Sequence, residues 1–146
     1  MLYIFDLDGT TVDSSARTGA TLDDWFAMNT PANIALDKLL PLAQLLQMAN
    51  DRGDATMVCT SRQMTSADYQ FLKDKNINPV FILSRKQGDN TPCGAMKLDL
   101  LTRFCKRMGY AWGDFIKSSV MFDDNDDVLN TMNANNLPII DARKYS

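Results

Sequence analysis

Short apolar runs alternate with amphipathic segments along most of the chain. The runs are rich in β-branched, aromatic and other apolar residues, which is typical of strands buried on both faces of a sheet. The predicted strands cover residues 2–5, 55–59, 79–83, 119–122 and 138–140. The amphipathic segments place apolar residues at helical spacing, and they predict helices over residues 32–52, 66–74, 95–108 and 128–135. Pro41 is expected to split or kink the first of these helices.

Strands that alternate with helices imply βαβ crossovers, and therefore a parallel sheet with helices on both faces. The sequence thus predicts a three-layer, Rossmann-like α/β fold. A chain of 146 residues supports one core, so a single domain over residues 1–146 is expected.

A polar, turn-rich flap follows the first predicted strand. It surrounds a short amphipathic piece with Thr21 as its capping residue. Trp25 and Phe26 either fold the flap onto the body or stack on a substrate, and the sequence leaves both roles open. Because this flap and one helix use up the chain between Asp8 and Thr60, we expect a minimal cap or none, and an open site.

The composition removes several functional classes. A net charge of −3 argues against an extended basic surface for long duplex nucleic acid, so a nucleic-acid substrate should be held locally, near an end. The absence of histidine excludes Ser-His-Asp and Cys-His catalysis and leaves acid–base work to carboxylates or lysine. The cysteines form no CxxC pair and fit reduced thiols in a cytoplasmic protein: Cys59, Cys93 and Cys105. Neither a signal peptide nor a membrane span is expected.

Two carboxylates, Asp6 and Asp8, follow the first predicted strand in the stretch MLYIFDLDGT. Residues two apart in a strand point the same way, so both acids are expected in one small volume at the carboxyl end of the strand. Two anions that close require a cation, and Mg²⁺ prefers such oxygen ligands. Gly9 allows a sharp turn, and Thr10 can bond the loop or orient an acid. The alternative is a strand followed by an ordinary Asp-Gly turn.

Polar residues also end two further predicted strands. Thr60 closes MVCT, where its hydroxyl and the neighbouring amides could bind a phosphate oxygen. Asp123 and Asp124 follow VMF, and one or both should complete the metal site. Asp127 is left open as a third possible ligand, whereas Asp126 is expected to be a helix-start acid.

These stretches resemble the four motifs of the haloacid dehalogenase (HAD) superfamily, whose members are mostly phosphohydrolases. The resemblance implies a HAD-like fold, with Asp6 as the nucleophile that becomes an aspartyl phosphate and Asp8 as the general acid/base. Thr60 matches the second motif, and the acidic pair Asp123 and Asp124 matches the fourth. Lys97 is the candidate for the third-motif lysine, with Lys86 as the competitor.

The chain further resembles the phosphatase domain of the bacteriophage polynucleotide kinase/phosphatase family. Arg17 lies eleven residues after Asp6, as in that family, and Thr60-Ser61-Arg62 stands where the family has Ser-Gly-Arg. The family's Arg-x-Gln-Gly-Asp loop is matched by Arg85, Gln87, Gly88 and Asp89. The resemblance implies that Arg17 and Arg62 contact the substrate phosphate or its flanking nucleotide, with Ser61 and Arg85 also in the substrate-binding set. An acidic pair of the family falls on Cys93 and Gly94, and no P-loop is present.

We therefore expect a Mg²⁺-dependent phosphomonoesterase that acts through an aspartyl phosphate. Mg²⁺ would be held by Asp6, the backbone carbonyl of Asp8, and Asp123 or Asp124. The expected substrate is the 3′-phosphate of a polynucleotide end. The alternatives are a free (deoxy)nucleotide phosphatase and, in another class, a non-catalytic phosphate-binding module. No obligate protein partner is expected, and the location would be the host cytoplasm if the chain is encoded by a phage.

Overall fold

The computed structural model describes residues 1–15 and 22–145, with the backbone alone for Leu22, Trp25 and Phe26. The strands of this part are β1 (Leu2–Phe5), β2 (Val12–Asp13), β3 (Lys38–Leu39), β4 (Ala55–Thr60), β5 (Phe81–Ser84), β6 (Ser119–Asp123) and β7 (Ile139–Asp141). The helices are α1 (Leu22–Ala27), α2 (Pro31–Ile34), α3 (Leu42–Asp51), α4 (Ser66–Asp74), α5 (Cys93–Met108), α6 (Trp112–Lys117) and α7 (Asp126–Ala134). A 3₁₀ turn covers Ala142–Tyr145.

Five strands form one parallel sheet in the order β5-β4-β1-β6-β7. Strand β1 lies at the centre, and Phe5 is opposite Val58 on one side and Phe122 on the other. This register brings the carboxyl ends of β1, β4 and β6 to one edge, where open α/β sheets bind ligands. The predicted α/β fold class is confirmed.

Successive residues of the central strands enter two different cores, as the two-residue period of a strand requires. Phe5, Val58 and Phe122 pack on one face with α3 and α4, and the Phe5 and Phe122 rings stack at 5.0 Å. Ile4, Met57 and Met121 face the other way and pack with α5, α6 and α7. The sheet is therefore buried on both faces, and the predicted three layers are present.

The predicted helix over residues 32–52 is wrong in its first half. The chain instead forms α2, the short strand β3 and then α3. The expected split at Pro41 is present, since Pro41 is the N-cap residue of α3, but α2 already ends at Ile34. Thr30 caps the short helix α2 at the amide of Asn33, and β3 pairs antiparallel with β2. Helix α6 and the final 3₁₀ turn were not predicted, because such short elements carry little periodic signal.

Most other predicted elements are found with ends shifted by a few residues. Strand β1 and helix α4 have the predicted bounds, whereas α5 begins at Cys93 instead of Ala95. None of the helices in the described ranges is both long and apolar enough to cross a membrane.

Candidate active site

Three carboxylates from two neighbouring strands meet at the carboxyl edge of the sheet. Asp6 directly follows β1, and its amide donates to the carbonyl of Phe122 at 3.0 Å, which extends the pairing with β6. Asp123 is the last residue of β6, and Asp124 follows it. One oxygen from each of the three carboxylates lies within 4.8 Å of the other two. The structure thus brings together three of the residues predicted to hold the metal.

Lys97 reaches this cluster from the start of α5. Its Nζ donates to Asp6 Oδ1 and to Asp123 Oδ2, at 2.7 Å each. Only 1% of Lys97 is exposed. Burial by itself lowers the pKa of Lys97, but the facing carboxylates of Asp6 and Asp123 outweigh it and raise this pKa above its usual value. Lys86, the competing candidate, lies on the surface.

The carboxylates raise one another's affinity for positive charge. Burial raises the pKa of Asp6 well above its usual value, and the neighbouring Asp123 raises it further. The pKa of Asp124 is also raised, chiefly by burial. Buried carboxylates this close together are ionised at the same time only where positive charge compensates them.

This donor set fits a divalent cation. Three ionised carboxylates and one ammonium leave a net charge of −2 in a buried site, and all the available ligands are hard oxygen atoms. Asp6, Asp123 and Asp124 could therefore hold Mg²⁺. That the backbone carbonyl of Asp8 contributes a further ligand stays a prediction.

The side chain of Asp8 lies apart from the cluster. Arg62 binds it through two nitrogens, with Nε donating to Asp8 Oδ2 at 3.2 Å and Nη2 donating to Oδ1. Ser14 Oγ also donates to Oδ1. The prediction that Asp6 and Asp8 share one small volume is wrong for their side chains, because β1 ends at Phe5 and the two-residue strand period does not extend to Asp8. A quarter of the Asp8 side chain, 25%, remains exposed.

Arg62 is the centre of a buried ionic cluster that the sequence did not predict. Besides Asp8, its guanidinium binds Asp68 of α4 and, at 3.2 Å, Asp37 from the connection before β3. Burial lowers the pKa of Arg62, but the adjacent carboxylates of Asp8 and Asp68 raise it above its usual value. Only 1% of Arg62 is exposed. Its predicted contact with the substrate phosphate stays a prediction that this buried position does not favour.

Thr60, Ser61 and Arg85 lie on the adjacent β4 and β5 side of the site. Thr60 is fully buried, and its Oγ1 accepts the amide hydrogen of Arg62 at 2.9 Å. Arg85 is also buried and donates to the carbonyls of Ser61, Asp89 and Thr91 at 2.7–2.9 Å. These bonds connect the loops after β4 and β5. In this structure Arg85 therefore orders two loops, and its contact with substrate stays a prediction.

Two small residues of the first loop shape the floor of the site. Thr10 Oγ1 lies 3.4 Å from Asp6 Oδ2, which agrees with its expected role beside an acid. A Cβ on Gly9 would stand 2.0 Å from Asp124 Oδ2. The loop after β1 thus packs directly against Asp124, and a larger residue at Gly9 would have to displace that side chain.

Asp127 is not a member of the carboxylate cluster among the described residues. Its Oδ2 instead accepts the amide hydrogen of Gly94 at 2.8 Å. Arg17 and Thr21 lie outside the described residues, as do the side chains of Trp25 and Phe26, so their predicted roles stay predictions.

Comparison with known protein families matches residues 1–91 to the family described as bacteriophage T5 5′-deoxynucleotidase. The 5′-deoxynucleotidase of Escherichia phage T5 is 31% identical over 86 residues, which is 52% of this chain and 35% of that protein. The chain thus aligns with about a third of the length of this curated relative. The matched residues include Asp6, Asp8 and Thr60.

Solved structures share the fold over nearly the whole chain. A chain of the Pnkp1/Rnl/Hen1 RNA repair complex superposes with a TM-score of 0.70 at 21% identity, over 95% of this chain and 41% of that one. A haloacid dehalogenase-like hydrolase from Streptococcus pneumoniae has a TM-score of 0.68 at 15% identity, over 96% and 83%. A HAD-superfamily hydrolase from Geobacter sulfurreducens has a TM-score of 0.68 at 12% identity, over 96% and 88%. The chain has the HAD-like fold and belongs to the bacteriophage T5 5′-deoxynucleotidase family.

Proposed function

We propose that this chain is a Mg²⁺-dependent phosphomonoesterase that acts on deoxynucleoside 5′-monophosphates through an aspartyl phosphate. The observation that carries the proposal is the arrangement of Asp6, Lys97 and Asp123. A buried carboxylate lies beside one buried ammonium and two further acids, at the edge of the sheet where ligands bind. The name of the T5 relative supports the substrate class.

In the first chemical step a carboxylate oxygen of Asp6 attacks phosphorus. The bond to the sugar oxygen breaks, and Asp8 gives this oxygen a proton, so that the nucleoside leaves as a neutral alcohol. The ammonium of Lys97 reduces the repulsion between Asp6 and the phosphate dianion. Mg²⁺, when bound, would supply further positive charge at the phosphate oxygens.

In the second step Asp8, now a carboxylate, removes a proton from water, and the resulting hydroxide attacks the phosphorus of the aspartyl phosphate. The bond to Asp6 breaks, inorganic phosphate is released, and both acids return to their starting states. Arg62 donates to both oxygens of Asp8 in the structure, so one of these contacts must open when Asp8 carries the proton of the first step. In the second step both contacts orient the Asp8 carboxylate that receives the proton of water.

A polynucleotide 3′-phosphate is the second candidate substrate. The observation that favours it is the match of Arg85, Gln87, Gly88 and Asp89 to the loop of the polynucleotide kinase/phosphatase family. The backbone likeness to a chain of an RNA repair complex agrees with this candidate but concerns the fold alone. Both candidates use the same chemistry at Asp6, so they differ only in what surrounds the phosphate.

A substrate panel tests the proposal. Phosphate release is measured from deoxynucleoside 5′- and 3′-monophosphates and from an oligonucleotide with a 3′-phosphate, in Mg²⁺ and in EDTA. We expect the 5′-monophosphates to be hydrolysed fastest, and we expect hydrolysis in Mg²⁺ but not in EDTA. Asp6→Asn should abolish all turnover. Preference for the oligonucleotide would select the second candidate. Binding without turnover on every substrate would select a phosphate-binding module and refute the proposal.

A further inference from the structure

We propose that Asp127 is a positioning residue that holds Lys97 in the site by fixing the start of helix α5. The inference rests on the proposed function, in which Lys97 neutralises charge at Asp6. It concerns an acid that the sequence left open as a possible metal ligand and that the structure places outside the carboxylate cluster.

The start of α5 lacks a cap from its own segment. Its N-cap residue is Pro92, whose side chain makes no capping hydrogen bond, and the first turn contains no acid. The free amides of a first helical turn need acceptors, and a carboxylate also interacts well with the positive end of the helix dipole. Asp127 supplies both from the first turn of α7, because its Oδ2 accepts the amide hydrogen of Gly94 at 2.8 Å.

The backbones of α5 and α7 touch at this point. A Cβ on Gly94 would stand 2.3 Å from Thr131 Oγ1 and 2.8 Å from the carbonyl oxygen of Asp127. The second of these atoms is backbone, so it could not move aside without shifting α7. Glycine is therefore required here.

This contact joins the helix that carries Lys97 to the helix that follows Asp123 and Asp124. Lys97 follows Gly94 by three residues, less than one turn of the same helix. Asp123 and Asp124 are followed by Asn125, the N-cap residue of α7, and Asp127 belongs to the first turn of that helix. A shift of α5 against α7 would therefore move the Lys97 ammonium relative to Asp123, one of its two partners.

The experiment compares Asp127→Ala and Asp127→Asn with Asp126→Ala as the matched control. Asp126 is the neighbouring exposed acid of the same helix turn and pairs with Arg143 at the surface. We expect Asp127→Ala to lower kcat by roughly tenfold to a hundredfold with little change in KM, since small displacements of a catalytic group have effects of this size. Asp127→Asn keeps an oxygen acceptor for the Gly94 amide and should retain most activity, and Asp126→Ala should match the parent.

A double-mutant cycle separates positioning from general stability. If Asp127 acts through Lys97, then Asp127→Ala should cause no further loss of kcat in a Lys97→Met background. Losses that multiply would overturn the proposal, as would an equal loss in Asp126→Ala. A requirement for much more Mg²⁺ in Asp127→Asn, with activity restored at saturation, would show a metal ligand instead and would also overturn it.

A measurement without substrate keeps this inference distinct from the proposed function. Acetylation of lysines in the metal-free protein is followed at Lys97 by peptide mass spectrometry. The buried, ion-paired Lys97 should resist the reagent in the parent and in Asp126→Ala, and should become modified in Asp127→Ala. If Asp127→Ala does not fold, Asp127→Glu replaces it, because the longer side chain moves the acceptor by one methylene. Lys97 should then become modified in Asp127→Glu. Protection that is unchanged in both variants refutes the inference, whereas a parent that lacks phosphatase activity refutes the proposed function alone.

Discussion

Replacing Lys97 with methionine removes the only ammonium that the described residues place among the three carboxylates. Methionine has a similar length and no charge, so the change leaves Asp6 and Asp123 buried and facing each other without their shared donor. Metal-free protein near neutral pH should be strongly destabilised as a result. Activity should fall in the same variant, because the nucleophile loses the charge that steadies it.

The magnitude follows from the burial of all three groups. Removing one partner of a buried ion pair costs about 3–5 kcal/mol, because the remaining charge is left without compensation. In a chain of this size each 1 kcal/mol lowers Tm by about 2–4 °C, so the expected fall is about 6–20 °C. The loss should be smaller at low pH, where the carboxylates can take up protons instead.

Mg²⁺ should reverse part of this effect. The site of the Lys97→Met variant carries one more net negative charge than the site of the parent, so it attracts a divalent cation more strongly. Thermal unfolding in EDTA and in Mg²⁺ should therefore show a larger Mg²⁺-dependent rise of Tm in the variant. Lys86→Met, at the exposed competitor, is the control and should leave both Tm and activity near those of the parent.

Two results would refute this reasoning. A Tm in EDTA equal to that of the parent would mean that the three charges are not in the buried arrangement described. Loss of activity in Lys86→Met, with full activity in Lys97→Met, would assign the third-motif role to the other lysine. Circular dichroism on each variant distinguishes either result from a failure to fold.

Four further predictions concern the metal site, its pH dependence and the Arg62 cluster. Gly9→Ala should abolish Mg²⁺ binding by calorimetry, because its Cβ would displace Asp124, whereas Gly53→Ala, with a similar positive φ and no atom within 4 Å, should cost stability alone. Without metal, the contribution of Asp6 and Asp124 to the free energy of unfolding should be fully present below their usual pKa range. This contribution should be lost as pH rises through their raised pKa values, since the native state holds protons that the unfolded chain has released. Mg²⁺ should stabilise the protein more at pH 8 than at pH 5, because binding requires deprotonated carboxylates. Calorimetric titrations at several pH values should show proton release on binding, and its absence would contradict this prediction. Asp37→Asn should lower both Tm and kcat by weakening the buried contact to the guanidinium that holds Asp8; unchanged kinetics with a lower Tm would confine this acid to a structural role.

The sheet and its acidic edge could be predicted because each depends on local patterns. Apolar runs marked the central strands, and an acid or a hydroxyl directly after each run marked its carboxyl end, as at Asp6, Thr60 and Asp123. Parallel strands bring such ends together without any information on side-chain contacts. Lys97 became a candidate through the resemblance to the third motif, which has a lysine at the start of a helix, and the amphipathic pattern located that helix.

The contacts that join distant segments could not be predicted in this way. Asp37 and Arg62 are 25 positions apart, and Gly94 and Asp127 are 33 apart. No spacing rule connects such pairs, so Arg62 was interpreted as a substrate ligand from resemblance alone. The residues just before Pro41 were misread as helix because their leucines recur at helical spacing, although the backbone forms a short strand there.

The turn after β1 explains how two acids only two positions apart could serve different steps. In a continued strand Asp6 and Asp8 would project to the same side and share one environment. The chain leaves the strand at Asp6, so Asp6 faces an ammonium and two further acids while Asp8 pairs with a guanidinium and a hydroxyl. A nucleophile must approach phosphorus in line, whereas an acid–base group must reach the leaving oxygen and later a water molecule. Separate partners for the two carboxylates satisfy both requirements, and the exposed part of Asp8 is the side on which a leaving group or water could meet it.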